Sequence, residues 1–298
     1  MGRIEPKPMF LKGHGACSGC GSAIAMHMIL RGIGDDAVVS LATGCMEVVS
    51  TGYPDDAWNV PVIHSLFENV PAVASGVSRA LKKLGKKGVS VGIGGDGGLY
   101  DIGFGAVSGA MERNEDMLLL CYDNEAYENT GIQRSGATPK YAATTTSPQE
   151  VGGKSEWKKN LSFIGAAHGI PYAATASIAY PADLQKKLQK ARTLKGFRLI
   201  VVFAGCQLGW RHDPSLSVEV ARKAVATGMW NLYEIENGVF KRTFKPKQFE
   251  PVENYLKLQG RFKHLKPEQI ADVQERINKT QVELDKLEAS DVNLVNAL

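Results

Sequence analysis

The first residues whose types and spacing could do chemistry lie in a glycine-rich turn. A mostly apolar run at 89–93 is followed by four glycines around Asp96. Glycine has no Cβ, so its backbone N–H can approach a phosphate closely, and the N-terminus of a following helix is electropositive. Asp96 could hold a divalent cation that neutralises a diphosphate, because Mg²⁺ prefers carboxylate and amide oxygens together with phosphate. We therefore expect a diphosphate site at this turn.

A second apolar run, at 117–122, leads into Asn124, and 27 residues separate Asn124 from Asp96. If one helix crosses over between two parallel strands, both residues lie at the carboxyl ends of neighbouring strands, where open α/β sheets bind ligands. Asp96 and Asn124 could then each give one oxygen to the same Mg²⁺, with a backbone carbonyl as a third ligand. The alternative is two unrelated turn residues, since Gly-Asp-Gly also occurs in ordinary turns.

Four of the five cysteines form a second candidate site. Cys17 and Cys20 form a Cys-x-x-Cys pair, Cys45 follows after 24 residues, and Cys206 follows after a further 160. Zinc ribbons usually carry two close pairs, and a redox pair needs only two thiols, whereas a 4Fe–4S cluster would use all four. From spacing alone, a cluster, a zinc site and plain buried thiols remain competing interpretations. Cys121 lies within an apolar run, so we expect a strand thiol there.

Composition and charge exclude several classes of function. The chain has 35 Lys and Arg against 31 Asp and Glu, a net charge of +4, which is too small for a protein whose affinity rests on neutralising nucleic-acid phosphates. The longest uncharged stretch, 160–182, is too polar and too broken by proline to span a membrane. An odd number of cysteines with no signal-like segment disfavours a secreted disulfide framework. We expect a cytoplasmic protein that binds neither nucleic acid nor membrane.

The elements that must position these residues follow from the hydrophobic pattern. Apolar runs typical of buried parallel strands occur at 38–42, 89–93, 117–122, 199–204 and 230–235. Segments of helical period occur between and around them at 22–30, 70–84, 104–113, 182–192 and 217–227. This alternation predicts an α/β fold in which a mostly parallel sheet is flanked by helices.

Two further segments depart from that alternation. The polar segment 129–159 has little periodicity and is predicted to be a functional loop, because irregular segments of this length are uncommon in compact domains. From about residue 244 the composition shifts to Lys and Pro. A final helix is then predicted by apolar residues at alternating spacings of three and four, namely Ile270, Val273, Ile277, Thr280, Leu284 and Leu287.

At this point a family resemblance becomes specific. Gly95-Asp96-Gly97 followed by Asn124 resembles the diphosphate and Mg²⁺ motif of thiamine diphosphate enzymes. The longer string at 121–135, Cys-Tyr-Asp-Asn-Glu-Ala-Tyr-Glu-Asn-Thr-Gly-Ile-Gln-Arg-Ser, is similar to the β subunits of pyruvate:ferredoxin oxidoreductase and related 2-oxoacid:ferredoxin oxidoreductases. The cysteine contexts also resemble that family, and so does the sequence from 13 to 209 and from 251 to 264. Glu128 departs from it, because an apolar residue is expected there.

The resemblance implies roles for individual residues. Mg²⁺ is expected on Asp96, Asn124 and the carbonyl of Ala126, and a 4Fe–4S cluster is expected on the four cysteines other than Cys121. Asn129 and Thr130 are expected beside the thiazolium and substrate as catalytic residues. The other residues expected near the cofactor are Gly44, Glu47, His64, Gly95 and Gly97.

The resemblance also implies an activity and an assembly. The fold is expected to be a thiamine diphosphate-binding domain over 1–243, carrying the cluster, followed by a C-terminal helical extension over 244–298. The activity is expected to be oxidative decarboxylation of a 2-oxoacid, pyruvate by default, with electrons passing through the cluster to ferredoxin and with coenzyme A as acyl acceptor. Oxalate, 2-oxoglutarate, a branched or aryl 2-oxoacid, a non-redox decarboxylase component and an electron-transfer or scaffold subunit remain alternatives.

The resemblance implies that a second α/β module carries a glutamate that activates the aminopyrimidine of the cofactor, and nothing in this sequence resembles such a module. We therefore expect an α subunit to supply the pyrimidine-binding domain. The resemblance further implies γ and δ functions, as separate or fused chains, that provide coenzyme A contacts and further clusters.

Overall fold

An eight-stranded sheet runs through the computed structural model, which describes residues 9–290 and 293–294. In chain order the strands are β1 (Ala37–Ala42), β2 (Val62–Ser65), β3 (Val89–Gly95), β4 (Met117–Asp123), β5 (Tyr172–Ser177), β6 (Phe197–Phe203), β7 (Leu232–Glu236) and β8 (Val239–Phe244). Across the sheet their order is β2-β1-β3-β4-β6-β5-β7-β8. The first six strands pair in parallel, whereas β7 and β8 are added antiparallel at one edge.

Helices connect and flank these strands. In chain order they are α1 (Gly21–Ile33), α2 (Cys45–Ser50), α3 (Val70–Lys83), α4 (Phe104–Glu112), α5 (Leu161–Ala167), α6 (Pro181–Thr193), α7 (Gln207–Trp210), α8 (Ser217–Ala226), α9 (Glu253–Leu256) and α10 (Pro267–Ala289). A π-helical turn, Gly97–Ile102, joins β3 to α4. Helix α1 packs on α6, and α3 packs on β3 and α4. The predicted mostly parallel α/β fold is therefore confirmed.

The central strands are buried on both faces. Every residue of β4, β5 and β6 is buried, which explains why these strands are nearly continuous apolar runs rather than alternating ones. All five predicted strands and all five predicted helices occur within a few residues of their expected bounds. The uncharged stretch 160–182 folds as α5, a turn and β5. None of the described helices is long and apolar enough to cross a bilayer.

The predicted final helix is α10, and it is docked on the rest of the chain. Val273, Ile277 and Leu284 are buried on one side of it, as the spacing of its apolar residues predicts. Asp272 in its first turns accepts hydrogen bonds from Lys140 Nζ and Tyr141 Oη, both at 2.8 Å. The C-terminal segment is thus bonded to the polar loop at 129–159. The outer ends of the two predicted domain ranges, 1–8 and 295–298, lie outside the described residues.

Candidate functional site

The site is built where β3 and β4 end side by side. Their parallel register pairs Gly95 with Tyr122, so Asp96 and Asn124, which follow directly, emerge at the same edge of the sheet. The backbone N–H of Asn124 donates to Asp96 Oδ1 at 3.2 Å. The structure thus brings together the two residues that the spacing of the sequence places at neighbouring strand ends.

Polar groups from three residues converge at this point. One end of the Asn124 side-chain amide lies 2.7 Å from Asp96 Oδ1 and 3.0 Å from the carbonyl oxygen of Ala126. Glu125, between the two, has a φ of 66°, and this left-handed turn lets the Asn124 amide and the Ala126 carbonyl face one place. If the amide oxygen occupies that end, three oxygens meet and require a cation. An octahedral Mg²⁺ site with 2.0–2.1 Å bonds places neighbouring oxygens about 2.9 Å apart, so the spacing fits Mg²⁺.

Asp96 is fully buried in a polar but cation-poor environment. Ser135 Oγ donates to its Oδ2 at 2.5 Å. Burial, reinforced by the nearby Asp123 carboxylate, raises the pKa of Asp96 well above its ordinary value. No lysine, arginine or histidine in the described residues forms an ion pair with it. A divalent ion would supply the positive charge that this carboxylate lacks.

The nearest cation, Lys158, is already engaged. Its ammonium lies 2.7 Å from Asp123 Oδ2 and 2.9 Å from Glu125 Oε1. Burial alone would lower the pKa of Lys158, but these two carboxylates raise it above its ordinary value. Arg261, from the C-terminal segment, pairs with the other oxygen of Glu125 at 2.6 Å. The charges of Asp123 and Glu125 are therefore balanced, whereas that of Asp96 is not.

A cavity of about 160 Å³ opens at this edge of the sheet. Seven residues that the sequence analysis places near the cofactor line it: Gly44, Gly95, Gly97, Asn124, Ala126, Asn129 and Thr130. Asn129 and Thr130 are exposed. The cavity wall also contains Phe67, Tyr122 and Tyr127, which the sequence analysis missed because an aromatic residue in or near a strand is typical of a core.

Glycine is required at one position of this wall. A Cβ on Gly97 would lie 2.5 Å from Cδ1 of the Tyr127 ring, well inside van der Waals contact. The same ring meets Phe67 edge to face, with centroids 5.8 Å apart. Gly97 thus allows an aromatic pair to close against the turn that follows β3.

His64 and Glu47 are placed differently from the other candidates. His64 Nδ1 lies 3.3 Å from Glu47 Oε1, and its Nε2 lies 3.0 Å from Thr43 Oγ1. Glu47 also accepts a hydrogen bond from Thr51 Oγ1 at 2.8 Å. Neither His64 nor Glu47 lines the cavity, whereas Thr43 does. Their expected contact with a cofactor stays a prediction.

The polar loop at 129–159 is tied to the site at several points. Besides Ser135 and Lys158, it contributes Gly136, whose N–H donates to Asp101 Oδ2 at 2.6 Å, and Lys159, whose Nζ donates to Asp101 Oδ1 at 2.6 Å. Asp101 belongs to the π-helical turn after β3. The loop is therefore held against the same strand end that carries Asp96.

Backbone contacts bring the cysteine segments towards one region. The N–H of Cys20 donates to the carbonyl of Cys17 at 3.1 Å, and the N–H of Gly21 donates to the carbonyl of Gly205 at 3.1 Å, which fixes the Cys-x-x-Cys turn beside Cys206. Cys45 begins α2 and lines the cavity. Cys121 is fully buried in β4, which confirms the predicted strand thiol.

Burial raises the pKa values of three of the four candidate ligand thiols. Burial, then the neighbouring Cys20 and Glu128, raises the pKa of Cys45 to about 12, and burial likewise raises the pKa values of Cys20 and Cys206. Within the described ranges, no three His, Cys, Asp or Glu side chains are close enough together to hold one metal ion. A cubane cluster binds each thiolate at a separate corner. The four thiols of a cluster site can therefore lie further apart than the ligands of a single zinc ion.

Glu128 occupies the space between the cavity and Cys206. It lines the cavity, and a Cβ on Gly209, in α7, would overlap its carboxyl group. Both carboxylate oxygens are buried, and the Cys206 thiol lies within hydrogen-bonding reach of the carboxyl group. Burial raises the pKa of Glu128 to about 7, and the nearby Cys206 and Arg261 offset this only in part.

Comparison with known proteins gives one family match. The family described as "Thiamine pyrophosphate enzyme, C-terminal TPP binding domain" matches residues 42–202. This range contains β2 to β5 in full and all but the last residue of β6, and it includes Asp96, Asn124 and the polar loop.

Individual relatives match over nearly the whole chain. Pyruvate synthase subunit PorB of Methanothermobacter marburgensis is 50% identical over 285 residues, covering 95% of this chain and 99% of that protein. Ketoisovalerate oxidoreductase subunit VorB of Pyrococcus abyssi is 43% identical, covering 93% of each. Among solved structures, 2-oxoglutarate:ferredoxin oxidoreductase from Magnetococcus marinus, with 2-oxoglutarate, coenzyme A and succinyl-CoA bound, shares the fold, with a TM-score of 0.60 at 22% identity over 74% of this chain and 81% of that one.

Proposed function

Because the chain belongs to the β-subunit family of thiamine diphosphate-dependent 2-oxoacid:ferredoxin oxidoreductases, we propose that its cavity holds the cofactor and that its substrate is pyruvate. The observation that carries the cofactor proposal is the convergence of the Asp96 carboxylate, one end of the Asn124 amide and the Ala126 carbonyl oxygen beside the cavity. The substrate proposal is supported by relatives named pyruvate synthase, which are up to 50% identical, against 43% for the ketoisovalerate enzyme.

In this proposal Asp96, Asn124 and the Ala126 carbonyl hold Mg²⁺, and the glycines after β3 let the backbone approach the diphosphate. Bound thiamine diphosphate supplies the nucleophilic carbon and the electron sink for decarboxylation of a 2-oxoacid. Asn129 and Thr130, exposed on the cavity wall, orient the substrate through an amide and a hydroxyl group. The aromatic wall formed by Phe67 and Tyr127 excludes water from the buried end of the cavity.

Cys17, Cys20, Cys45 and Cys206 would hold a 4Fe–4S cluster, which accepts electrons one at a time. Cys17 is exposed. The largely buried thiols of Cys20, Cys45 and Cys206 fit this role, because iron supplies the positive charge that lets a thiol with a raised pKa bind as thiolate. Cys45 lines the same cavity as Asn124. The proposed cluster site therefore borders the proposed cofactor site.

We propose that an α subunit, supplying the pyrimidine-binding domain, covers the open side of the cavity. Four exposed apolar side chains lie within a few residues of the site segments in sequence: Val48, Leu66, Ile102 and Leu208. Exposed apolar groups of this kind mark interaction surfaces when they cluster. Ferredoxin as electron acceptor, coenzyme A as acyl acceptor, γ and δ functions and a cytoplasmic location complete the proposal.

The cluster is tested by metal analysis of the assembled complex purified without oxygen. We expect about four iron and four sulfide per chain and a broad visible charge-transfer band. Cys45→Ser should lose most of the iron, whereas the matched control Cys121→Ser, in the buried strand, should retain it. Stoichiometric zinc without iron would contradict the cluster.

The reaction is tested by reduction of a low-potential dye by the whole complex. We expect reduction with pyruvate and coenzyme A, and slower or no reduction with oxalate, 2-oxoglutarate and a branched 2-oxoacid. Decarboxylation of pyruvate without dye reduction would instead support a non-redox decarboxylase. Asn129→Asp is a suitable variant, because it keeps the size of the side chain but places a negative charge where the substrate carboxylate is expected.

A further inference from the structure

The Glu128 side chain lies where two parts of the molecule meet. Its carboxyl group forms part of the cavity wall beside Cys45, and it also contacts α7 at Gly209, three residues after Cys206. The N–H of Gly209 points to Cys206 Sγ at 3.4 Å. Glu128 is therefore a direct neighbour of the segment that carries one of the proposed cluster ligands.

This carboxyl group has no cation that neutralises it. Both oxygens are buried, and the Cys206 thiol lies close enough to hydrogen-bond to the carboxyl group. The nearest guanidinium, that of Arg261, is engaged elsewhere: it pairs with Glu125 at 2.6 Å and stacks on Trp210 with its central carbon 3.9 Å from the ring centre. A buried carboxyl group without a cation is costly, and this one contacts a proposed cluster ligand directly.

We propose that Glu128 is a charge neighbour of the 4Fe–4S cluster and makes the cluster harder to reduce, and hence a stronger reductant once reduced. The inference rests on the proposed function, because it requires the cysteines to hold that cluster. An added electron is repelled by a nearby carboxylate, and the repulsion is strong in a buried site, where the effective dielectric constant is low. Net charge and hydrogen bonding around a cluster are known determinants of its potential.

The test is a potentiometric titration of the cluster in the assembled complex, followed by electron paramagnetic resonance in mildly alkaline buffer. Glu128→Gln keeps the shape of the side chain and removes its charge, and Glu128→Met removes its polarity as well. We expect both variants to shift the midpoint potential to more positive values. Glu150→Gln makes the same change of charge on an exposed residue and should leave the potential at the wild-type value.

Each other outcome overturns the proposal in a distinguishable way. An unchanged or more negative potential in Glu128→Gln, with full iron content, would refute the role of Glu128 and leave the proposed function intact. Loss of iron in both Glu128 variants would mean that Glu128 is needed to hold the cluster, and it would replace the proposed role. Wild-type complex without iron and sulfide would overturn the proposed function, and this inference with it.

Discussion

Asp96→Asn should make the metal-free chain more stable and at the same time abolish cofactor binding. In the metal-free chain the Asp96 carboxyl is fully buried, and burial together with Asp123 raises its pKa, so its ionised form is unfavourable in the folded state. Asparagine keeps the shape of the side chain without the charge. It has one oxygen in place of two, so it retains only one of the hydrogen bonds from Ser135 Oγ and the Asn124 N–H.

The expected magnitude follows from these two opposing terms. Replacing even paired buried charges with neutral side chains of similar volume is neutral or stabilises proteins by about 1–4 kcal/mol, and Asp96 has no cation as a partner. The loss of one hydrogen bond costs about 1 kcal/mol. We expect the free energy of unfolding of the metal-free chain to rise by about 1–2 kcal/mol. Because the folded-state pKa of Asp96 is raised, the wild-type chain loses stability as pH rises through that pKa, so the advantage of the variant should grow with pH.

Two measurements check this prediction. Urea unfolding of the metal-free chain gives the difference in stability, and oxidation of released cofactor to fluorescent thiochrome gives the thiamine diphosphate content of the assembled complex. Asp96→Asn should be more stable and contain no cofactor. Asp101→Asn is the matched control, because Asp101 is paired with Lys159 and the Gly136 N–H, and it should lose stability. An Asp96→Asn chain that is less stable, or that retains cofactor, would refute the reasoning.

Three further predictions concern the surroundings of the site. Lys158→Met leaves two buried carboxylates without their shared cation and should lower the free energy of unfolding by about 3 kcal/mol, measured in urea, whereas Lys158→Arg should lose less. Gly97→Ala should reduce the cofactor content of the complex and destabilise the chain by about 1–3 kcal/mol, because the added Cβ clashes with Tyr127. The control Gly76→Ala has open space around the added Cβ, and it should neither change the cofactor content nor lower the stability. The folded-state pKa of Glu128 is about 7, against 4.5 ordinarily, so the metal-free chain should lose about 3 kcal/mol as pH rises from below 4.5 to above 7. Glu128→Gln should abolish that loss, and an unchanged pH profile would contradict the burial of this carboxyl group.

The central fold and the Mg²⁺ candidates could be predicted from the sequence because each depends on local pattern. Strands buried on both faces are continuous apolar runs, and one crossover between two of them fixes Asp96 and Asn124 at the same sheet edge. Three strands lie outside the predicted apolar runs. The edge strands β2 and β8 are only partly buried, and β5, although buried, contains Thr175 and Ser177 alongside its alanines.

The contacts that complete the site could not be predicted in this way. Ser135 reaches Asp96 from an aperiodic loop, 39 residues away in the chain, and Arg261 reaches Glu125 across 136 residues. Pairings of this kind depend on how the whole chain closes. The burial of the Glu128 carboxyl group away from any cation is likewise a property of the packed molecule, although a glutamate in place of the expected apolar residue marks the position in the sequence.

The contacts of the C-terminal segment also limit how the chain can be engineered. Asp272 in α10 holds Lys140 and Tyr141 of the loop, and Arg261 neutralises a carboxylate next to Asn124. Although composition changes near residue 244, that boundary is not a place where the chain can be cut to obtain a minimal cofactor-binding module. A shortened chain would lose the hydrogen bonds from Lys140 and Tyr141 to Asp272, and it would lose Arg261, one of the two cations that pair with the buried carboxylates. Redesign of this subunit therefore has to keep its last helix.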